Sequence, residues 1–563
     1  MAKTFSKQGG YLKYEDDSIP LIKTYNFNQL EYLISGNNIL FPDAMSIAYN
    51  DAALTNVFAN VEEFSDQLGL WKEESQTGIS DTTNPDPVFG AFGEQITAHK
   101  TPIIQISNRY QQDPAVVEDI EIFEATGGSA DNNENKFRCQ TGTSVGGYGV
   151  IRSTNTLNYK AGQGVEAQFT ASFTTGVALS LQFGGMFSIS DTLAFGYDGA
   201  DFSCLHSYGG LAEVQLITVT AIGAGGNTTV TLDNDAVVIA TTASDVQTVA
   251  EELRAGLAAD VTVGAKWRFE QVDDKVYAIA RSVGDKTETF SVSGDATCTI
   301  SEVTAGRLKT DNHTAQSSWN VTTTPFNGFD PTKLNIYKIQ FGYLGIANIK
   351  FSIYNPNAGS WVLVHQIKWA NANNQTHLGS PNLKIGWTAA SLGSSGTNLT
   401  VEGASASLMV EGDERLTNDV HATEATKGSI GTTSVPVLEL KNRIVFGKVF
   451  NLGKIKPLRL SVDNDHTKGS IVELWKTPTL TGTTNYQFIN ENTSIAIVDT
   501  AATGYSGGKF IDGFTIGAGN SKTIDLADVL PDILPEETLT ITAKTARGTG
   551  ASITAILTWQ EDK

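Results

Sequence analysis

The sequence predicts a mainly β, multidomain protein. It reads as antiparallel β-sandwich or jelly-roll-like domains with a small inserted α+β domain and a mixed N-terminal unit. Three observations carry that reading. Charged residues are sparse at 18% and glycines number 54, in a chain rich in Thr, Ser, Asn and Val, the composition of strands and tight turns. Short runs alternate apolar and polar residues between Gly- and Asn-bearing turns, the pattern of half-buried strands. The 563 residues, at roughly 100–200 per domain, leave room for about three to five domains.

Residues 1–95 read as the mixed unit. Within it "NVEEFSDQLGLW" (60–71) predicts a short helix, with Asn60 as cap, Glu63 at the capping-box position, and Val61, Phe64, Leu68 and Trp71 on one side. The polar, Pro-bearing stretch that follows reads as a linker. A discontinuous sandwich is expected over 96–214 and 306–412. In "GVEAQFTASF" (164–173), Val165, Ala167, Phe169, Ala171 and Phe173 share one face. In "LNIYKIQFGYL" (334–344), Tyr337, Ile339, Phe341 and Tyr343 do the same. "IKFSI" (349–353) and "WVLVHQIKW" (361–369) alternate as well, the latter placing Trp361, Leu363, His365, Ile367 and Trp369 together.

A ββαββ domain is expected over 215–305, seated in a sandwich loop, where insertions are best tolerated. "LITVTAIGAGGNTTVTL" (216–232) predicts a hairpin. "SDVQTVAEELRAGL" (244–257) predicts a helix, with Ser244 and Gln247 as a capping box and Val246, Val249, Ala250, Leu253 and Leu257 as its apolar stripe. "KWRFEQV" and "KVYAIAR" then read as strands. Residues 413–432 read as a second linker, and 433–563 as a C-terminal β-sandwich. There "SITAILTW" (552–559) is expected to pair with "ETLTITAK" (537–544) through the turn at "ARGTGA". No 20–50-residue repeat is visible, which disfavours propellers, solenoids and long β-helices.

Net charge is −22, from 61 acids against 39 bases, and no Lys/Arg cluster is present. A nucleic-acid partner is therefore not expected, because binding phosphates needs a basic face. Cys139, Cys204 and Cys298 lie far apart and form no CxxC, so neither a zinc motif nor a disulfide scaffold is expected, and folding in a reducing cytoplasm is. The start, "MAKTFSKQGGYLKYEDD", has no apolar core of a signal peptide, and no window approaches 18 apolar residues, so no membrane insertion is expected.

The densest candidate chemistry is "LAFGYDGADFSCLHSYGG" (193–210), with Asp198, Asp201, Ser203, Cys204 and His206. Asp-Gly marks a hairpin turn. Cys204 and His206 then stand two apart on one strand, their Cα atoms about 6.5–7 Å apart by strand rise. A nucleophile and its base need to approach to about 2.6–3.2 Å, and no basic neighbour would lower the thiol pKa. A hairpin with a buried thiol and a turn carboxylate is the expected reading. His365 reads as a packed strand residue. "GAGG" (223–226) has no GK[ST] after it and is not a phosphate loop. "DNNEN" (131–135) and "VDNDHTKGS" (462–470) carry oxygen ligands suited to calcium but match no EF-hand and read as turns. No catalytic, cofactor-binding or metal-binding residue is assigned. Trp319, Trp361, Trp369 and Trp387 are the candidates for stacking on sugar faces, weighed against burial in a core.

Two segments resemble virion structural proteins of tailed bacteriophages and of some large DNA viruses: 159–210, beginning "YKAGQGVEAQFTASF", and 330–371, beginning "DPTKLNIYKIQFGYLG". "VPVLELKNR" (435–443), "LWKTPTLTG" (474–482), "DTAATGYSGG" (499–508) and "LTWQEDK" (557–563) resemble the terminal domain that often accompanies them. The resemblance spans about half the chain, rests on Gly turns and strand aromatics, and does not reach the N-terminal unit. It implies a non-enzymatic component of the virion, folded in the host cytoplasm: a tail-fibre, receptor-binding or adaptor protein without a cofactor. Its implied partners are other virion proteins, further copies of itself with a trimer favoured, and a host-surface glycan. A head-decoration or minor capsid protein is the first alternative. A fibre-borne polysaccharide depolymerase, which needs two carboxylates facing a groove, is the second.

Overall fold

The computed structural model describes residues 100–563, except Asn158, Thr287, Glu288, Tyr343, Ser394, Ser395, 413–418, Thr483 and Asp528, and only short strands before residue 100. Two compact units divide the chain, 1–80 and 81–563. In the first, Phe5–Gln8, Tyr11–Tyr14 and Tyr25–Asn26 form one antiparallel ladder, and Ile34–Ser35, Asn38–Leu40 and Ser46–Ile47 another. The helix expected over 60–71 and the linker after it lie outside the described residues.

The second unit is built on a β-sandwich. One sheet runs Ser360–Ile367, Ile349–Asn355, Asn335–Gly342, Gly164–Phe173, Thr400–Gly403, Lys136–Gln140 and Ser129–Asn133, with Ser405–Glu411 and Lys100–Ser107 branching from it. The facing sheet centres on Asp201–Tyr208, Thr192–Asp198, Ser180–Phe187, Lys384–Ser391, Tyr148–Ser153 and Ile120–Ala125. The alternation reads directly into the core between them. Val165, Ala167, Phe169, Ala171 and Phe173 are buried there with Tyr337, Ile339, Phe341, Ile349, Phe351 and Ile353. Burial of each such large side chain contributes about 1.5–3 kcal/mol.

One strand departs from the expected pattern. Phe351 pairs with His365 but the next residue, Ser352, pairs with Leu363, so Val364 is the extra residue of a β-bulge. Val362 and Val364 face the core before the bulge, and Ile367 and Trp369 face it after. The alternating set predicted for 361–369 is therefore split, and Trp361 falls on the opposite side from Trp369.

The chain leaves this sandwich after Tyr208 and returns at Thr310. A narrow neck pins exit to return: Leu211 and Arg307 exchange both backbone hydrogen bonds, at 2.8 and 3.0 Å. The inserted domain is larger than ββαββ. Three strands, Ala212–Ala221, Gly226–Leu232 and Asp235–Thr241, precede the helix Val246–Ala259. Four follow: Trp267–Val272, Lys275–Val283, Ser291–Gly294 and Thr297–Thr304. The hairpin expected over 216–232 does not form. Ala212–Ala221 pairs with Lys275–Val283 and Thr297–Thr304, while Gly226–Leu232 joins a second sheet with Asp235–Thr241. The Asp295 carboxylate accepts from the N–H of Ala224 and Gly225 and holds the Gly-rich loop as a crossing between sheets. The true hairpin closes at Asp233 and Asn234, both at positive φ (54° and 66°), as a two-residue turn of primed type requires. The helix is capped one residue later than expected. The Asp245 carboxylate, not Ser244, accepts from Thr248 N–H at 2.8 Å. Val249, Ala250, Leu253 and Leu257 are buried as predicted, and Val246 lies partly buried at the edge.

The C-terminal body is a second sandwich. Val420–Ile430, Ala551–Asp562, Lys454–Asn464 and Ser521–Asp525 form one sheet. Val435–Asn442, Thr538–Thr545 and Ser470–Lys476 form the centre of the other, with Lys509–Ile516 at its edge. Two expectations change. Residues 420–430 are an edge strand, not linker; their partner Ala551–Asp562 buries Ala555, Leu557 and Trp559, and Ala425 and Ile430 join that core. The pairing of 537–544 with 552–559 is absent because the turn between them carries the chain across the sandwich from one sheet to the other.

Candidate functional site

The 193–210 segment is a hairpin of two buried strands. Asp198 pairs with Asp201 around Gly199, which sits at φ 61°. Phe202 and Cys204 enter the core; Leu205 packs on the other side with Phe183, Phe187 and Ala194. Both faces are covered, so burial alone pushes the Cys204 thiol far above its ordinary value. His206 is fully buried and its pKa falls to about 4, chiefly by burial. Its Nε2 is 2.7 Å from the His377 carbonyl, which can only accept, so Nε2 carries the proton and Nδ1 faces the Asn312 amide at 3.4 Å. Cys204 and His206 therefore serve packing and loop anchorage in separate surroundings.

A different alignment of side chains passes through the same strand. Ser207 Oγ lies 3.0 Å from His313 Nε2, and His313 Nδ1 lies 2.8 Å from Asp198 Oδ2. Nothing in the spacing of these residues announces it. The order is that of a hydrolase relay, but the environment differs from one. Ser207 is 5% exposed and its backbone is paired with Thr192 and Asp311 on either side, while the Asp198 carboxylate, which a relay would bury, is about half exposed (49%).

Three of the four candidate tryptophans are placed by the core rather than by a surface. Trp387 is 0% exposed, lies 5.3 Å from the Phe137 ring, and donates Nε1–H to the Thr170 carbonyl at 2.9 Å. Trp319 is buried against Phe195 and Phe202 and donates to the Thr314 carbonyl at 3.1 Å. Trp369 is buried against His206 and Tyr208 and donates to the Gln375 carbonyl. Trp361 alone of the four is partly exposed; Tyr354 meets it edge-on and Lys338 Nζ stands 4.4 Å over its ring. Stacking on sugar is therefore closed to Trp319, Trp369 and Trp387, because each indole fills space between sheets and has its N–H satisfied internally.

The Asn/Asp-rich stretches are turns. Glu134 and Asn135 close a hairpin at positive φ, and both Asp131 oxygens are held by Arg138, at 2.7 and 2.9 Å. Asn464 donates to the Lys468 and Gly517 carbonyls. Among the described residues no group of His, Cys, Asp and Glu is spaced to hold a metal ion.

The site that sequence reasoning missed lies where the first sandwich, the insert and the C-terminal sandwich meet. The insert docks through Ala212, Val214, Tyr277 and Ile279 onto Ile444 and Val445. Beside this apolar contact, the Glu270 side chain is fully buried and accepts from Ile444 N–H, with Lys441 Nζ at 3.5 Å. Burial raises the Glu270 pKa against the pull of Lys441 and Arg443. A cleft opens next to this joint in two lobes of about 470 and 320 Å³ that share Ser188, Ile189, Asn382 and Phe450.

Its charge is opposite to that of the chain. The larger lobe carries Arg152, Arg268, Arg281 and Lys384 against Glu121, Glu536 and Glu537, and the smaller carries Arg307 and Lys563 with no Asp or Glu side chain in its lining. The acids are already engaged. Glu121 takes Arg152 at 2.5 Å and Lys384 at 2.7 Å, Glu536 takes Arg268 at 3.3 Å, and Glu537 takes Lys476 at 2.9 Å. Lys563 pairs with Asp419. Arg281 and Arg307 remain without an ion-pair partner among the described residues. Arg281 Nε donates to the Gly264 and Trp267 carbonyls, and Arg307 Nε to the Gly209 carbonyl at 2.7 Å. Those bonds orient each guanidinium and leave its Nη groups for another acceptor. Burial and the neighbouring Arg268 charge press the Arg281 pKa below its ordinary value. The Arg268 guanidinium lies 5.4 Å over the Phe450 ring and that of Arg152 lies 4.9 Å over Phe123, which stiffens the cationic wall. The signal was absent from the sequence because these cations come from strands and loops of three bodies.

No protein-family model and no curated protein matches the chain. Among solved structures, the chain is similar to arcelin-5, a lectin-like defence protein from Phaseolus vulgaris (9% identity, 56% of this chain and 100% of that one, TM-score 0.21). It is also similar to a lectin from Bauhinia forficata in complex with GalNAc (11% identity, 56% and 99%, TM-score 0.20) and to a Lotus tetragonolobus seed lectin (7%, 55% and 99%, TM-score 0.20). These scores carry no argument about function. The class that the sheets themselves define is a mainly β protein of antiparallel β-sandwiches.

Proposed function

We propose that this chain is a non-enzymatic structural component of a tailed-bacteriophage virion, of the tail-fibre, receptor-binding or adaptor type, that contacts the host surface. The observation that carries the reading is the joint itself. Two sandwiches are locked through the insert by a buried apolar contact and by Glu270, giving rigid antiparallel bodies suited to contact by shape. The motifs at 159–210 and 330–371 that resemble virion proteins form central strands of the first sandwich and support the same assignment. Assembly as a homo-oligomer, with a trimer favoured, would cover sheet edges. The test is immuno-electron microscopy of purified particles with an antibody to residues 433–563, joined to a native mass measurement. Label at the tail or head surface and a trimeric mass are expected. Particles that carry no label, from a lysate in which the protein is abundant and monomeric, would overturn the proposal.

A further inference from the structure

We infer that the three-body cleft binds an acidic saccharide, with anionic groups taken by the guanidinium groups of Arg281 and Arg307 and sugar faces laid against Phe450 and Ile189. The inference rests on the host-contact reading and names the ligand class for it. Four observations converge. The larger lobe, about 470 Å³, falls within the usual range for ligand sites, about 300–1,000 Å³. Cations outnumber acids in the lining of a chain whose net charge is −22. An excess of one sign in low-dielectric walls focuses field and concentrates the opposite charge. Each acid in the lining is satisfied by a cation, whereas Arg281 and Arg307 present oriented, uncommitted Nη groups, the fork that matches carboxylate, sulfate or phosphate oxygens. The shared residues Ile189 and Phe450 supply the apolar surface that a sugar ring needs beside its charge. Because Arg281 and Arg307 line different lobes, a saccharide with more than one acidic group fits better than a single small anion.

The test uses the full chain and four probes: an oligogalacturonate, its carboxyl-reduced neutral counterpart, a heparin-derived sulfated oligosaccharide and a phosphorylated mannan oligosaccharide. Titration calorimetry is expected to show at least one acidic probe binding about tenfold or more tightly than the neutral one, weakening as salt rises. Which acidic probe binds distinguishes carboxylate, sulfate and phosphate as the group recognised. The double variant R281Q/R307Q is expected to lose that preference with an unchanged melting curve. The double variant R281K/R307K, which keeps the charges and loses the forks, is expected to fall between. Equal binding of all four probes, no binding of any acidic probe, or full acidic binding in the R281Q/R307Q chain would each overturn the inference. Adsorption of labelled wild-type protein to host cells separates the two claims. Adsorption that persists unchanged in R281Q/R307Q removes the cleft and leaves host contact standing. Adsorption that falls in R281Q/R307Q, and that the binding probe blocks, supports both.

Discussion

The backbone N–H of Ile444, in the C-terminal sandwich, donates to both carboxylate oxygens of Glu270, in the inserted domain, at 3.1 and 3.0 Å. One buried acid thus ties two bodies that are 174 residues apart in sequence. Removing it leaves Ile444 N–H and Lys441 without this acceptor in a buried joint. Glu270→Ala is expected to destabilise the joint by about 3 kcal/mol, and Glu270→Gln, which keeps one acceptor oxygen, by less. Hydrogen exchange should rise at 267–272 and 441–445 in the Ala variant while the far side of each sandwich is unchanged. Equal protection in wild type and variant would show that the joint does not depend on this carboxylate.

Acid should loosen the first sandwich through its buried histidines. His206, His365 and His377 have folded pKa values of about 4, set chiefly by burial, against an unfolded value of 6.5. The unfolded chain therefore binds more protons between these values. Their contribution is full above pH 6.5 and is lost as pH falls toward 4, at about 1.4 kcal/mol per unit of separation for each group. Isotope-labelled histidine resonances provide the check. Three of the seven should stay neutral at pH 5, and titration of all seven near 6.5 would refute the assignment.

Trp387 has a backbone facing it that no side chain could replace. A Cβ on Gly403 would lie 2.2 Å from the indole Cε2 and Nε1. Gly403→Ala is expected to cost about 1–3 kcal/mol or more by overpacking, whereas Gly428→Ala, whose Cβ meets nothing within 4 Å, should be near neutral. Chemical denaturation of the two variants side by side decides it, and equal midpoints would count against the packing described.

The buried thiols and Ser207 should be inert in the folded chain. Cys139 and Cys204 are fully buried with raised pKa values, so a thiol reagent should modify them only after unfolding, and the partly exposed Cys298 before them. A fluorophosphonate probe should leave Ser207 unlabelled. Labelling at Ser207 that His313→Ala abolishes would turn the relay into an active site and displace the non-enzymatic reading.

Much of the strand content was legible because period-two alternation survives wherever one face is buried, as at 164–173 and 335–342. Where both faces are buried, as at Thr192–Asp198 and Asp201–Tyr208, the same rule still finds a hairpin but says nothing of what covers it. Pairing was less legible than strandedness. Gly226–Leu232 and Ala551–Asp562 each follow a tight turn, yet pair away from the strand before it, since crossing between sheets and folding back within one need the same turn residues. The tryptophan reading failed at Trp319, Trp369 and Trp387 because an alternating aromatic shows that one face is apolar, not that it is outward. The cleft was invisible for a further reason. Arg152, Arg281, Arg307 and Lys384 come to line one two-lobed cleft through topology, and no local spacing encodes it.

The neck at Leu211 and Arg307 sets an order of events during synthesis. The strands between it find their partners within about a hundred residues of one another, as Ala212–Ala221 does with Thr297–Thr304. The host strand Gly164–Phe173 must wait for Asn335–Gly342 and Ser405–Glu411 before either of its long edges is filled. The guest can therefore close while its host still hangs open on the ribosome, with unpaired edges exposed to chaperones or to a neighbouring nascent copy. Slowing translation once residue 304 has cleared the ribosome should enrich a species whose insert resists protease and whose surrounding strands do not.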